Sequence, residues 1–225
     1  MTQMSLGLDL PSKEELAHRA KLSSLPDSDE ALIEEARNLL TQYHDAMLDA
    51  DGDLATDIQK RIEAVGEKMN GGTRFGIVTD EGAYGRLIPL LSAPDGQEPM
   101  YGQPGRFVVT ALGCRCAIST KGLFGFGGFE VRAIDFGRPF ISQTGFRSFT
   151  GWSVPIKKGD RLSGRVIRQI ENSGEKLVRI GPRVRWIDGN AVKEPAGPDL
   201  EDPAWQPGGW LHELTQSPPP LAMGG

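Results

Sequence analysis

"SDEALIEEARNLLTQYHDAMLD", residues 28–49, sets Leu32, Ala36, Leu39, Tyr43 and Met47 four, three, four and four residues apart. That spacing is one face of a helix with 3.6 residues per turn. Asp27, following Pro26, and Glu30 three residues later resemble a capping box at its start. A second stripe follows, made of Leu54, Ile58, Ile62, Val65 and Met69, and Asn70-Gly71-Gly72 stops it. The short link "DADGD", residues 49–53, joins the two, so residues 28–70 are predicted to form an αα-hairpin. A calcium loop begun at Asp49 needs glycine at its sixth position and glutamate at its twelfth. Those positions hold Leu54 and Lys60, which makes the link a solvated turn with Asp53 capping the next helix. A shorter helix is expected over residues 12–22.

The net charge of −5 conceals a strong asymmetry. Residues 1–70 carry 7 Lys/Arg against 15 Asp/Glu, residues 104–187 carry 15 against 5, and residues 188–225 carry 1 against 6. An acidic front and an acidic tail therefore flank a basic centre, a layout that points to an anionic partner. No apolar run approaches the roughly 18 residues that span a bilayer. The opening "MTQMSLGLDLPSKEEL" has neither a basic n-region nor an apolar h-region. Cys114 and Cys116, two apart on a strand, point the same way and are poorly placed to bridge each other. The chain reads as soluble and cytoplasmic, with no membrane contact.

After Gly72 the texture changes. "EGAYGRLIPLLSA", residues 81–93, is a short helix weakened by Gly85 and Pro89. From Arg106 onward short β-runs alternate with turns. "RFVVTALGCRCAIST" is a hairpin turning near Leu112-Gly113, and "GFEVRAIDF" a third strand. "RLSGRVIRQI" and "KLVRIGPRVRW" are expected to make a second hairpin around "ENSGE". The fold class is α+β: an acidic helical region over 1–72, a basic β-rich domain over 73–187 built as a small barrel or sandwich, and an irregular tail over 188–225. The tail holds seven prolines and six glycines in 38 residues and is expected to be flexible except where Trp205 and Trp210 pin it.

Catalysis finds little support. The histidines are His18, His44 and His212, so the basic region has none, and nucleophilic chemistry lacks a local base. The "HELTQ" segment lacks the second histidine of a zinc-protease motif, and two cysteines are too few for a structural zinc site. No catalytic residue, metal or cofactor is assigned. "GLFGFGG" lacks the phosphate-loop pattern and precedes a strand rather than a helix.

Nucleic acid fits better. Eight of the nine phenylalanines lie between Phe107 and Phe149, inside the basic stretch. Phe124 and Phe126, on a glycine-rich tip, are candidates for stacking on bases, as in single-strand binders. If 161–187 is a hairpin, Arg161 and Arg165 share one face, as do Arg183 and Arg185, because side chains alternate along a strand. With Arg132, Arg138 and Arg147 they are candidates to hold phosphates without reading sequence. Ordinary solvated charge and ordinary β-core phenylalanines are the competing reading.

At "NGGTRFG" (70–76), "YGQPGRF" (101–107) and "FISQTGFRSF" (140–149) the chain resembles accessory proteins carried on bacterial plasmids and other mobile elements. The resemblance covers about residues 30–150, implies work on mobile DNA or against host defences, and brings no catalytic residues. The resulting expectation is a non-enzymatic protein that binds nucleic acid, single-stranded DNA included, through a basic β-sheet face. The alternative is an inhibitor whose acidic helices dock on a basic protein partner.

Overall fold

Serine, not aspartate, opens the first two helices. The computed structural model describes residues 12–125, 128–187, 190–194 and 196–217. Helix α1 (Lys13–Ser23) is capped by Ser12, whose hydroxyl accepts from the Glu15 N–H. Helix α2 (Asp29–Leu48) is capped by Ser28 in the same way, through the Ala31 N–H. The cap expected at Asp27 thus falls one residue later, and Asp27 takes a 2.7 Å ion pair from Lys68. Helix α3 (Gly52–Met69) is capped by Asp51 rather than Asp53.

The two predicted stripes face each other. Leu32, Ala36, Leu39 and Tyr43 of α2 are buried, as are Ile58, Ile62, Val65 and Met69 of α3. Leu54, in the first turn of α3, stays 49% exposed. Helix α4 (Ala83–Leu91) completes the layer, with Pro89 inside its last turn.

Strands β1 (Gly105–Ala111), β2 (Cys114–Thr120), β3 (Phe129–Ala133) and β4 (Phe146–Phe149) form an antiparallel sheet in that order. Leu112 and Gly113 make the two-residue turn between β1 and β2, both left-handed at φ 52° and 73°. Cys114 and Cys116 are free and buried in β2. The sheet is open at β1 and β4, so the barrel alternative is set aside.

The second predicted hairpin does not form. Residues 162–171 are helix α5 (Leu162–Glu171), which buries Leu162, Val166 and Ile170 four residues apart against the sheet. The "ENSGE" segment is the end of that helix: Asn172 caps it and Gly174 turns left-handed at φ 70°. Val178 makes a single bridge to Phe140, and β5 (Arg183–Ile187) pairs instead with β6 (Asn190–Glu194).

Both faces of the four-stranded sheet are covered. Phe107, Val109, Cys116, Ile118, Phe129 and Val131 face helices α2 to α5 and form the main core. On the opposite face Ala117 and Ile134 meet Ala204, Trp205 and Leu211 of the tail. The tail contributes a 3-10 turn (Pro203–Trp205) and helix α6 (Trp210–Gln216), and Trp205 is only 1% exposed.

Candidate nucleic-acid interface

Strand alternation places Arg106 of β1, Arg115 of β2 and Arg132 of β3 on the sheet face turned away from the helices. A basic sheet face therefore exists, and the tail lies on it. Arg106 makes a 2.6 Å pair with Asp95 and a 2.9 Å pair with Asp202 of the tail. Arg132 meets Asp199 at 3.2 Å and stacks its guanidinium 4.8 Å from the Phe146 ring. Arg115 donates to the carbonyls of Leu214 and Ser217, both at 3.0 Å. Burial pushes the Asp202 carboxyl up, but the Ala204 N–H and the Arg106 guanidinium together hold it below its ordinary value. The hydrogen bonds that Arg106 donates to Asp95 and Asp202, outweighing burial, raise its own pKa in turn.

The remaining predicted site residues disperse. Arg161 is not on a strand but directly before α5, where it is exposed and paired with Glu98 at 2.8 Å. Arg165, one helical turn on, is half-buried with its guanidinium 4.4 Å from the Trp152 ring. Arg147 is exposed on the edge strand β4 and pairs with Glu175 at 2.5 Å. Arg138 is half-buried near the β1–β2 turn, its Nη1 4.0 Å from where a Cβ on Gly113 would sit. Arg183 and Arg185 stand two apart in β5. Phe126 lies outside the described residues. Phe124 is fully buried, edge-on to Tyr43 with ring centroids 5.5 Å apart, and offers no face to a base. It belongs to the core: its carbonyl accepts from Gln59 and its N–H donates to the Gly102 carbonyl.

A cationic corner that sequence reasoning passed over sits between α1 and α3. Lys21, Lys60 and Arg61 are all exposed there, and Arg19 of α1 is exposed and paired with Glu15 at 3.2 Å. Lys21 spends its ammonium on the Lys60 carbonyl, at 2.9 Å, and so keeps its charge uncancelled. Lys21, Lys60 and Arg61 line a shallow cavity of about 580 Å³. Arg61 pairs with Glu35 at 2.6 Å and Lys60 with Asp57 at 2.8 Å. The signal in the sequence was the Lys60-Arg61 dipeptide, hidden within a segment dominated by acids.

Comparison with known proteins falls on these same helices. Residues 18–90 match the profile of the KlcB N-terminal DNA-binding domain, which takes in most of α1 and all of α2 and α3, and ends within α4. Two curated relatives from Escherichia coli, both described as Protein KlcB, are similar to the chain. One is 36% identical over 133 residues, 56% of this chain and 33% of its own length. The other is 31% identical over 176 residues, 75% of this chain and 38% of its own length. The chain thus spans about a third of one relative and 38% of the other. No solved structure matches it significantly. The resemblance to plasmid accessory proteins read from the sequence is borne out by these matches. Among the described residues no helix is long and apolar enough to cross a membrane.

Proposed function

We propose that this chain is a DNA-binding accessory protein of a mobile element. The observation that carries the reading is the match of residues 18–90 to a DNA-binding domain profile. That stretch holds 8 Lys/Arg against 14 Asp/Glu, so it attracts DNA only through a local concentration of cations. Lys21, Lys60 and Arg61 supply one where α1 meets α3, and are the primary phosphate contacts in this reading. Lys176, Arg179 and Arg147 are exposed in the C-terminal half, and with Arg183 and Arg185 of β5 they are the candidates to extend the contact there. The tail carboxylates Asp199 and Asp202 occupy Arg132 and Arg106 as phosphates would, and restrain non-specific binding by the sheet face.

Fluorescence anisotropy of the full chain on labelled duplex and single-stranded DNA, at about 50 and 200 mM salt, tests this. A Lys21→Gln/Lys60→Gln/Arg61→Gln variant is expected to lose about tenfold or more in affinity, with a shallower salt slope. Absence of binding to either DNA form at low salt overturns the reading.

Docking on a basic protein is the second reading, favoured by one observation. Phe75 and Val78 are 91% and 76% exposed, an apolar spot followed by Asp80 and Glu81 and preceded by Arg74, which pairs with Glu63 and Glu67. Unchanged DNA affinity in the triple variant, together with loss of a protein partner in Phe75→Ser/Val78→Ser, would favour it.

A further inference from the structure

A second cavity, separate from the cationic corner, lies where the αα-hairpin, the end of the sheet and α5 meet. It encloses about 250 Å³ and is lined by Tyr43, Gln59, Tyr101, Thr120, Trp152 and Arg165 among others. At roughly 30 Å³ per water this is room for several waters, more than a single bridging one. It reaches the surface beside Met47, Gly102, Gly128 and Trp152, each partly exposed.

Tyr101, Arg165 and Tyr43 bring unspent donors to it. Tyr101 is 2% exposed, and its hydroxyl has no hydrogen-bond partner. The Arg165 Nε is likewise buried without a partner, and its Nη2 makes only a 3.3 Å bond to the Val154 carbonyl. Tyr43 accepts from Gln59 at 3.4 Å, which leaves its own hydroxyl hydrogen free to donate. Among the described residues no carboxylate lines the cavity. The nearest acids are committed elsewhere: Asp160 is bound to Arg168, and Glu98 pairs with Arg161.

A half-buried guanidinium without a counter-ion is costly unless something supplies the negative charge. The side chain is nevertheless held in place. Phe149, Phe129 and Trp152 stack in succession at 4.8 and 4.9 Å, and Arg165 closes the column on the Trp152 face. Such a stack fixes the guanidinium in advance of any ligand, as a binding site requires.

We propose that this cavity binds a phosphate monoester. The guanidinium fork and the hydroxyls of Tyr101 and Tyr43 match an ion with three terminal oxygens, where a carboxylate presents two. The phosphate comes either from a free mononucleotide or from the 5′ end of a DNA strand, and the two sources are separable. The site does not depend on the DNA-binding corner, which shares none of its residues.

The test is thermal shift and calorimetry on the full chain with dAMP, with inorganic phosphate, and with short oligonucleotides bearing or lacking a 5′-phosphate. Acetate serves as the carboxylate control. Stabilisation by dAMP identifies a free nucleotide. Stabilisation only by the 5′-phosphorylated strand identifies a DNA end. Tyr101→Phe removes one oxygen from the core, should leave the fold intact, and is expected to weaken binding about tenfold. Arg165→Gln is expected to abolish it. The proposal is overturned if no phosphate compound stabilises the protein at millimolar concentration, or if acetate does so equally. It is also overturned if Tyr101→Phe and Arg165→Gln respond as the parent does. None of these failures touches duplex affinity, which is read on the Lys21, Lys60 and Arg61 variants.

Discussion

Arg115 and Asp135 form a buried pair: Nη2 lies 2.6 Å and Nε 2.9 Å from Oδ1, while Oδ2 accepts the Arg115 N–H at 2.8 Å. Their side chains are 10% and 7% exposed. The guanidinium also reaches the last carbonyls of α6, so one residue joins sheet, β3 exit and tail. Removing one member of such a pair strands the other in a poor solvent. Asp135→Asn or Arg115→Met is therefore expected to cost about 3–5 kcal/mol, measured by denaturant unfolding. Replacing both members should cost less than the sum of the two single changes.

Glycine to alanine inside a helix ordinarily stabilises by about 0.5–1 kcal/mol. At Gly66 of α3 the sign should reverse. A Cβ there would stand 2.6 Å from the Tyr84 ring and 3.2 Å from Ile77. Gly66→Ala is expected to destabilise by about 1–3 kcal/mol through overpacking, read as a lower denaturation midpoint at unchanged slope.

His44 Nδ1 accepts the Tyr101 N–H at 3.0 Å, which requires that nitrogen to be unprotonated. Burial, the leading cause, holds the imidazole pKa below its ordinary 6.5. The unfolded chain therefore binds the proton more tightly than the folded one. The stability from this neutral contact is complete above about pH 6.5 and declines as the pH falls below it. His44→Asn keeps an acceptor in place of Nδ1 but does not titrate. Its denaturation midpoint should change less between about pH 7.5 and 5.5 than that of the parent.

The tail carboxylates on the sheet face make a further prediction. Asp199→Asn/Asp202→Asn should release Arg132 to polyanions and leave Arg106 held by Asp95 alone. Affinity for DNA at low salt is expected to rise several-fold, and the salt slope to steepen by about 1–2. Equal affinity of parent and variant at every salt concentration would show that the sheet face takes no part in binding.

The αα-hairpin was legible because its two stripes are long, regular and bounded by stop signals, and packing then confirmed what periodicity implied. The β1–β2 hairpin was legible because Leu112-Gly113 is a turn between alternating runs. Helix α5 was misread for a physical reason. Arg161 and Arg165 would share one face of an extended strand, β-branched Val166 and Ile167 favour strands, and Gly164 weakens a helix. The four-residue recurrence of Leu162, Val166 and Ile170 was the better guide. Phe124 was misjudged because glycine neighbours suggest an exposed tip. A distant glycine instead lets the segment pack inward: a Cβ on Gly102 would stand 3.0 Å from the Phe124 Cα. The orphan hydroxyl of Tyr101 has no trace in the sequence at all, since it is created by three distant segments meeting.

Strand β2 is bonded to neighbours on both edges and covered on both faces, by the helices on one side and Trp205 and Leu211 on the other. Its amides should be the last in the molecule to take up deuterium, opening only when the whole chain unfolds. Those of β4, bonded along one edge, should exchange through smaller fluctuations. Lifting residues 199–217 alone would uncover the Ala117 side of β2 without breaking a single inter-strand bond, so the polar face could be bared and hidden repeatedly while the sheet itself stays zipped.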